Sequence, residues 1–306
     1  MNHRILHLSD THLTVSGIDG YGVDAIASLK QILFDARHLD GLSLVLVSGD
    51  VADDGSAAGY LTAVEIIGDF AASRGIPLIC AMGNHDDRAA FAQVLGSGHR
   101  GAGGDDIGRD WAGGPERAAV SEVAGLRVVT LDSQIPGSGN GLISAAQLRW
   151  LAGLLADPAP AGTVVAFHHP PVHVPTSAFV SSAGLRNAEE LASVVAGSDV
   201  QAILCGHFHV QLAGHLSGVP VWVTPGVVTR IDLTAPRHLV RTVKGASATV
   251  VDLGGPFSPA FHVLHARDPE VGQQAYLVDA LTWQPVGTEE TTEETTAETA
   301  DTAKTG

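Results

Sequence analysis

Cysteine is scarce in this sequence, and long apolar runs are missing from it. Cys80 and Cys205 are the two cysteines among 306 residues, and both end apolar segments, so we expect buried, reduced thiols and no disulfide. Two cysteines are also too few for a thiolate metal site. No apolar run approaches the roughly 18 residues that a membrane span needs, and no signal-peptide pattern opens the chain. A cytoplasmic location without a membrane span is therefore expected.

Positive charge is also in short supply. The chain has 17 lysines and arginines against 33 acidic residues, and its net charge is −16. Nucleic acids and anionic membranes attract basic surfaces, so neither is expected as a main partner. Residues 230–244 are a local exception that contains Arg230, Arg237, His238, Arg241 and Lys244. We interpret this stretch as a solvated loop, and the alternative is a basic entrance that attracts an anionic substrate.

Aromatic and large aliphatic residues are absent from 287–306, which consists almost wholly of Thr, Glu and Ala. Such a segment cannot bury enough apolar surface to fold, so we expect a disordered acidic tail. Residues 1–286 are expected to form one domain. Two irregular segments within it, near 96–118 and 172–184, are predicted to act as flaps over a cavity.

Polar residues follow five apolar runs in the same way. The runs span 4–9, 44–47, 76–81, 163–167 and 200–205. At their ends stand Asp10, His12, Asp50, Asn84, His85, His168, His207 and His209. Parallel strands of one sheet end along one edge, so we predict that the five segments meet in one cavity with Asp50 at its middle.

The pattern between and after these runs predicts an α/β fold with a second sheet. Apolar residues at helical spacing in 22–39 and 55–73 separate the first three runs, which is typical of a βαβαβ unit. Further helices are predicted over 144–156 and 187–196, and a hairpin over 119–131. Short strand-like runs then follow near 219–223, 248–253, 260–265 and 275–278. They indicate a second, antiparallel-rich sheet packed face to face on the first.

The side chains at the strand ends suit a pair of metal ions. Carboxylate, imidazole and amide donors bind Mn²⁺, Zn²⁺ or iron. The set is too large for one ion, whereas two ions roughly 3.5–4 Å apart with Asp50 shared between them would use all of it. After the carboxylates and a bound hydroxide are counted, about one positive charge remains, which suits a phosphodiester monoanion.

These motifs resemble those of the calcineurin-like metallophosphoesterases. The matching segments are Asp10-Thr-His12, Gly49-Asp50, Gly83-Asn84-His85-Asp86, His168 and Gly206-His207-Phe208-His209. More narrowly, residues 8–13, 82–88 and 168–171 are similar to the class III cyclic nucleotide phosphodiesterases of actinobacteria. The resemblance covers about residues 4–255, and every metal position of the superfamily is filled.

The resemblance implies a fold, a ligand set and roles. The fold would be a four-layer α-β-β-α sandwich of two mixed sheets flanked by helices. One metal would be held by Asp10, His12, Asp50 and His209, and the other by Asp50, Asn84, His168 and His207. The ions would be Mn²⁺, or iron with Mn²⁺ or Zn²⁺. Asn84, His85 and His209 would contact substrate, and His85 would also protonate the leaving alkoxide or stabilise its charge.

Four neighbouring residues have less specific roles. We expect His7 to be a satisfied core residue and His169 to support a ligand without coordinating metal. Asp53 and Asp86 either orient ligand histidines or cap the helices that follow them.

The leading hypothesis is a binuclear metal-dependent phosphodiesterase that attacks small phosphodiesters with a metal-bound hydroxide. On the resemblance, 3′,5′-cyclic nucleotides (cAMP and cGMP) come first among its substrates. The alternative is a broader enzyme for 2′,3′-cyclic nucleotides or glycerophosphodiesters. Outside enzymes, a non-catalytic interaction module is disfavoured because no ligand position is lost. The sequence leaves the choice between a monomer and a homodimer open.

Overall fold

The computed structural model describes residues 2–286, and the predicted tail over 287–306 lies outside the described residues. The strands are β1 (His3–Leu8), β2 (Leu44–Ser48), β3 (Leu78–Ala81), β4 (His99–Arg100), β5 (Arg109–Asp110), β6 (Ala119–Val123), β7 (Leu126–Thr130), β8 (Thr163–Ala166), β9 (Val200–Cys205), β10 (Leu212–Leu216), β11 (Val219–Val223), β12 (Thr229–Asp232), β13 (Leu239–Lys244), β14 (Ser247–Leu253), β15 (Ala260–His265) and β16 (Gln274–Asp279).

The helices are α1 (Ala25–Asp35), α2 (Ala57–Ala63), α3 (Asp69–Ala72), α4 (Arg88–Leu95), α5 (Ala145–Leu155), α6 (Ala178–Ser182) and α7 (Ala188–Val195). A 3₁₀ turn, Ala36–His38, follows α1, and a π-helical turn, Val64–Gly68, joins α2 to α3. No helix in this part of the chain is long and apolar enough to cross a bilayer.

The strands form two large mixed sheets and one small sheet. The first sheet has the order β15-β14-β1-β2-β3-β4, and the second has the order β10-β11-β9-β8-β7-β6-β5. The centres of both are parallel, through β1-β2-β3 in one and β7-β8-β9-β11 in the other. Strands β12, β13 and β16 make a separate antiparallel sheet.

Three apolar clusters divide the molecule into four layers. One contains Leu6 and Leu8 of β1 with Leu29 of α1, so it joins the first sheet to its helices. The middle cluster lies between the sheets and includes Leu46 and Val164. The third joins the second sheet to α5, α6 and α7. The predicted four-layer sandwich of two mixed sheets flanked by helices is therefore confirmed.

Side-chain alternation explains how one strand serves two layers. In β1, Leu6 and Leu8 point to the helix-side cluster, whereas Ile5 points to the cluster between the sheets. Helix α5 follows the same logic at helical spacing. Its N-cap Ser144 accepts a hydrogen bond from the Gln147 backbone N–H, and Leu148 and Leu151 are buried against the second sheet.

Two details of the predicted sheets are wrong. The five ligand-bearing strands do not share one sheet, because β1, β2 and β3 lie in the first sheet and β8 and β9 in the second. The run at 275–278 lies in β16 of the small third sheet, and the runs at 248–253 and 260–265 do not build the second sheet either. The latter two runs form β14 and β15, which extend the first sheet by antiparallel pairing next to β1. Strand periodicity shows which residues are buried but not which strand is the neighbour.

A buried histidine links the two large sheets. His99 of β4 lies with its Nδ1 2.7 Å from Ser121 Oγ of β6 and its Nε2 2.9 Å from Thr130 Oγ1 of β7. Burial lowers the pKa of His99 to about 4. The ring is therefore neutral at neutral pH and resists protonation as long as the protein is folded.

We expect His99 to make the fold sensitive to acid. Between pH 6.5 and 4 the unfolded chain gains a proton at this position that folded His99 does not, so the free energy of unfolding should fall, by up to roughly 3 kcal/mol. In urea unfolding across this pH range, His99→Gln should show a shallower loss of stability than the parent protein. His38→Gln changes an exposed histidine and serves as the control. An identical pH dependence in His99→Gln and the parent would contradict this account.

Candidate metal centre

The loops that follow five strands bring all eight candidate side chains together. Six of them line one cavity of about 220 Å³, namely His12, Asp50, Asn84, His85, His207 and His209. The other two, Asp10 and His168, are fully buried and contact that set. Asp10 Oδ1 lies 3.2 Å from His209 Nε2, and His168 Nε2 lies 3.0 Å from Asp50 Oδ2.

The donor atoms form three overlapping sets, each with its ligand atoms within 4.8 Å of one another. We call two of them the donor groups, namely Asp10 with His12 and His209, and Asp50 with His168 and His207. The third set, His12 with Asp50 and His85, connects them. Asp50 Oδ2 lies 3.0 Å from His168 Nε2 and 3.8 Å from His12 Nε2. One carboxylate oxygen thus faces a histidine from each group.

Unpaired polar atoms show that the residues present fit metal ions. Among residues 2–286, no hydrogen-bond partner is present for the buried atoms His12 Nε2, Asn84 Oδ1, His168 Nε2 and His207 Nε2. Leaving such atoms unpaired in a protein interior is costly, so native structures rarely do it without a ligand or water. Nitrogen and oxygen donors in this number suit first-row divalent ions.

Hydrogen bonds at Nδ1 fix the ring orientation of three of the histidines. His12 Nδ1 donates to Asp53 Oδ1 (2.8 Å), and His168 Nδ1 donates to the Ser48 carbonyl (2.9 Å). His209 Nδ1 lies 3.0 Å from Thr229 Oγ1. In the neutral form of each ring, which is the form that binds metal, a proton held on Nδ1 leaves the lone pair on Nε2, the atom that faces the cavity.

The backbone at the site is strained. Five of the candidate ligands have a positive φ, namely Asp10 (55°), His12 (42°), Asp50 (49°), His207 (69°) and His209 (49°). Each such residue costs on the order of 1–3 kcal/mol, and such strain is typical of functional sites. Two motif glycines permit close approach, because a Cβ at Gly83 would collide with the Asp50 carboxylate and one at Gly206 with Ser9.

Asp53 and Asp86, for which the sequence left two roles open, differ in what they contact. Asp53 orients histidines, since it accepts from His12 Nδ1 and lies 3.4 Å from His85 Nδ1. Asp86 neither contacts a histidine nor caps a helix, because Asp87 is the N-cap of α4. Instead its buried carboxylate accepts backbone N–H groups from residues 51, 52 and 83, which ties the loop after β2 to the loop after β3.

Gln134 is a positioning residue that no pattern in the sequence indicates. Its Nε2 donates to the carbonyl of Asp86 (2.6 Å) and lies within 3.4 Å of the carbonyls of Gly83 and Asn84. A single side-chain amide therefore holds the loop that carries Asn84 and His85. Gln134 follows β7 and lies about 50 residues from its partners, so no local motif connects them.

The charges of the site reinforce one another. Burial alone would raise the pKa of Asp50, but His168 and His85 hold it well below its usual range. Burial opposes protonation of His168, and Asp50 outweighs it and raises the pKa of His168 to about 9. Burial and the neighbouring His168 lower the pKa of His207 to about 3, so His207 is neutral and able to coordinate a metal. The buried carboxylates are therefore stable only with positive charge close to them in the cavity.

Two other predicted histidines stay outside the donor groups. His7 is buried in β1 with its Nε2 2.8 Å from Ser48 Oγ. His169 Nδ1 lies 2.8 Å from Ser133 Oγ, and its ring centroid is 4.5 Å from that of His207. His169 therefore packs against a candidate ligand, in the way expected for a supporting residue.

The basic stretch and the two predicted flap segments differ in what they contribute to the cavity. Residues 230–244 are not a single loop, because Arg230 lies in β12, Arg241 and Lys244 lie in β13, and only 233–238 form the turn between them. Arg241 pairs with Asp232, and Lys244 pairs with Glu270. Within the described residues 2–286, no lysine or arginine lines this cavity. Segment 96–118 contributes none of its lining residues, whereas segment 172–184 contributes Phe179.

Aromatic side chains that the sequence did not single out line the rest of the cavity. They are Tyr21, Phe179, Tyr276 and Trp283. They come from four distant positions, so no spacing pattern connects them. The sequence offers one indirect signal. Aromatic residues make up 5% of the chain, so four of them in one cavity stand out.

Comparison with known proteins decides the family. The profile of the calcineurin-like phosphoesterases matches residues 3–211, which span both halves of the donor set. The chain belongs to the calcineurin-like phosphoesterase family. The family that the motifs predicted is thereby confirmed for this phosphoesterase.

Similar proteins with curated names cover most of this phosphoesterase. A probable cyclic nucleotide phosphodiesterase of Rhodococcus erythropolis is 39% identical over 76% of this chain and 73% of its own. A cAMP/cGMP dual specificity phosphodiesterase of Mycobacterium tuberculosis is 38% identical over 80% and 74%. A 3′,5′-cyclic adenosine monophosphate phosphodiesterase of Escherichia coli is 33% identical over 72% and 75%. The similar proteins carry the names that the narrower resemblance implied.

We expect metal stoichiometry to reveal the shared ligand. Protein loaded with Mn²⁺ and desalted should hold about two ions per chain. Asp50→Asn should reduce this below one because both positions lose a charged donor, whereas Asn84→Ala should retain about one ion. Elemental analysis by mass spectrometry gives the count.

The control is Asp19→Asn, which changes another carboxylate of the same cavity that belongs to neither donor group. It should keep the parent stoichiometry. Full retention of both ions by Asp50→Asn would contradict the shared position of Asp50.

Proposed function

We propose that this phosphoesterase is a binuclear metal-dependent phosphodiesterase that hydrolyses small phosphodiesters, with the 3′,5′-cyclic nucleotides cAMP and cGMP as its main substrates. The observation that carries the proposal is the buried Asp50 carboxylate with one oxygen facing a histidine of each donor group. The substrate class is supported by the cyclic nucleotide phosphodiesterases to which the chain is 33–39% identical.

The proposed ligand set divides along the two donor groups. Asp10, His12, Asp50 and His209 would hold one ion, and Asp50, Asn84, His168 and His207 the other. The nitrogen and oxygen donors support Mn²⁺, or iron paired with Mn²⁺ or Zn²⁺. When bound, the ions would acidify a water molecule into a nucleophile and neutralise the phosphoryl oxygens.

The charge of the cavity supports a diester over a more highly charged substrate. Besides the donor groups, the lining found among residues 2–286 includes the carboxylates of Asp19 and Asp53 and neither lysine nor arginine. A substrate with one negative charge can be neutralised by the surplus charge of the metal pair. A second phosphate would meet no lysine or arginine from this part of the chain, and the two carboxylates would repel it.

His85 is the proposed proton donor. Its Nδ1 donates to the Asp53 carbonyl (2.9 Å), so Nε2 is free to face the cavity. Burial opposes its protonation, but Asp50 and Asp53 raise the pKa of His85 above its ordinary value. A protonated His85 would deliver its proton to the ester oxygen that leaves as one P–O bond breaks. Asn84 and His209 are proposed to contact the phosphate beside it.

Location and assembly remain parts of the proposal. Cys80 and Cys205 are both buried and unpaired, which supports a reducing compartment such as the cytoplasm. Homodimer formation stays a prediction. A broader enzyme for 2′,3′-cyclic nucleotides or glycerophosphodiesters is the alternative that a substrate panel would separate.

Activity should depend on metal and favour cyclic nucleotides. Chelation should abolish hydrolysis and Mn²⁺ should restore it, because both the nucleophile and the charge neutralisation come from the ions. Steady-state kinetics on cAMP, cGMP, 2′,3′-cyclic AMP and a glycerophosphodiester under one metal condition should give the highest kcat/KM for the 3′,5′-cyclic nucleotides. Full activity of metal-free protein would refute the metal part, and a higher kcat/KM for a glycerophosphodiester would refute the substrate part.

Replacing His85 should slow the chemical step without removing metal. His85→Ala is expected to lower kcat for cAMP by roughly 10²–10⁴-fold, the usual contribution of a proton donor. The loss should be much smaller for a p-nitrophenyl diester, whose leaving group needs no proton. His262→Ala, at an exposed histidine of β15, is the matched control. Equal losses on both substrates would contradict the proton-donor role.

A further inference from the structure

Four aromatic side chains lie in the wall of the cavity beyond the donor groups, together with Val228, Thr229 and Ile231. The chain contains three tyrosines and four tryptophans, and two of those tyrosines and one tryptophan line this cavity with Phe179. Tyr21 follows β1, Tyr276 lies in β16, and Trp283 lies beyond β16. Four distant segments therefore deliver rings to one place, although the chain as a whole is poor in aromatic residues.

The rings form two pairs with defined geometry. Tyr21 stacks on Tyr276 with ring centroids 4.0 Å apart and planes 17° from parallel. Phe179 and Trp283 meet edge to face at 5.1 Å and 90°. The Phe179 ring is 5.7 Å from that of His207, so the second pair reaches the donor groups directly. The aromatic wall and the proposed metal pair thus belong to one continuous site.

The outer ring of each pair is exposed, which a core role does not explain. Tyr21 is 45% and Trp283 37% exposed, whereas Phe179 is buried. Tyr21 is nevertheless held in place, because its backbone N–H and that of Val23 both donate to Asp19 Oδ1 (2.9 and 2.8 Å). Fixed rings with accessible surface, next to a site that binds phosphate through the proposed metal pair, are typical of surfaces on which nucleobases stack.

The charge of the wall narrows the ligand further. Among residues 2–286 the lining has Asp19 and Asp53 but no lysine or arginine, so the part of the ligand away from the phosphate should carry no negative charge. An aromatic wall favours a flat ring over a polyol or an alkyl chain. A phosphodiester that carries a nucleobase has both properties, whereas a glycerophosphodiester lacks the ring.

We propose that Tyr21, Phe179, Tyr276 and Trp283 form the nucleobase-binding wall of this site, with Trp283 and Tyr21 as the rings that contact the base. The inference rests on the proposed phosphodiesterase function and adds the residues that select its substrate. Stacking uses the π-face that every base has, so the wall favours base-containing over base-free cyclic phosphates.

The test compares substrates with and without a base. Base–aromatic stacking contributes roughly 1–3 kcal/mol, so Trp283→Ala should raise KM for cAMP by about 5- to 150-fold and change kcat by less than about two-fold. KM for ribose 3′,5′-cyclic phosphate, which lacks the base, should stay at the parent value. Trp283→Phe should restore most of the affinity for cAMP. Phe257→Ala, at an exposed aromatic residue before β15, is the matched control.

Two kinetic outcomes would overturn the proposal. An equal rise in KM for both substrates would show that Trp283 supports the site without contacting the base. An unchanged KM for cAMP in both Trp283→Ala and Tyr21→Ala would show that the base binds elsewhere.

A binding measurement separates failure of the wall from failure of the proposed hydrolysis. Adenosine, which has no phosphate and needs no metal, should quench the tryptophan fluorescence of chelated parent protein. Trp283→Phe should remove that quenching, because it removes the reporting indole. If the parent protein hydrolyses neither substrate, the proposed function fails, and the adenosine titration still decides the wall. Absence of quenching in the parent would overturn it.

Discussion

The buried carboxylate of Asp50 is stable only with positive charge beside it, and the rest of the site is arranged around this requirement. Asp50 is 2% exposed and lies at the end of β2, with His168 and His12 facing the same oxygen. A buried carboxylate is stable only when it is paired or coordinated. The surrounding histidines supply some of that charge, but the unpaired Nε2 atoms of His12, His168 and His207 face the same space. A metal ion can bind the carboxylate oxygens and the imidazole Nε2 atoms at the same time. Without it, the carboxylate and the imidazoles leave polar atoms unpaired.

The four-layer fold is the means of holding those groups in place. The cluster between the sheets, with Leu46 and Val164, packs two sheets whose parallel strands deliver ligands from separate halves of the chain. The strained backbone at the donor residues is kept by that rigid framework and by two side chains away from the cavity centre. Asp86 binds the loops after β2 and β3 to each other, and Gln134 holds the loop after β3 from the second sheet. Local strain at the site is thus offset by packing and hydrogen bonds outside it.

The sequence was most informative where chemistry is local. Each candidate donor directly follows an apolar strand, so the α/β class and the family could be predicted from short segments such as 8–13 and 82–88. The same segments supply the proposed metal ligands. Sheet membership could not, because β14 owes its place beside β1 to pairing across more than 200 residues. The aromatic wall was missed for the same reason. Tyr21 and Tyr276 have no relation in spacing, and only the folded chain shows that they stack.

The account depends on Asp50 being shared, and anomalous diffraction at the manganese edge tests that most directly. Crystals of Mn²⁺-loaded protein should show two anomalous peaks about 3.5–4 Å apart, with the Asp50 carboxylate in contact with both. A single peak, or a pair with Asp50 bound to one ion only, would contradict the account.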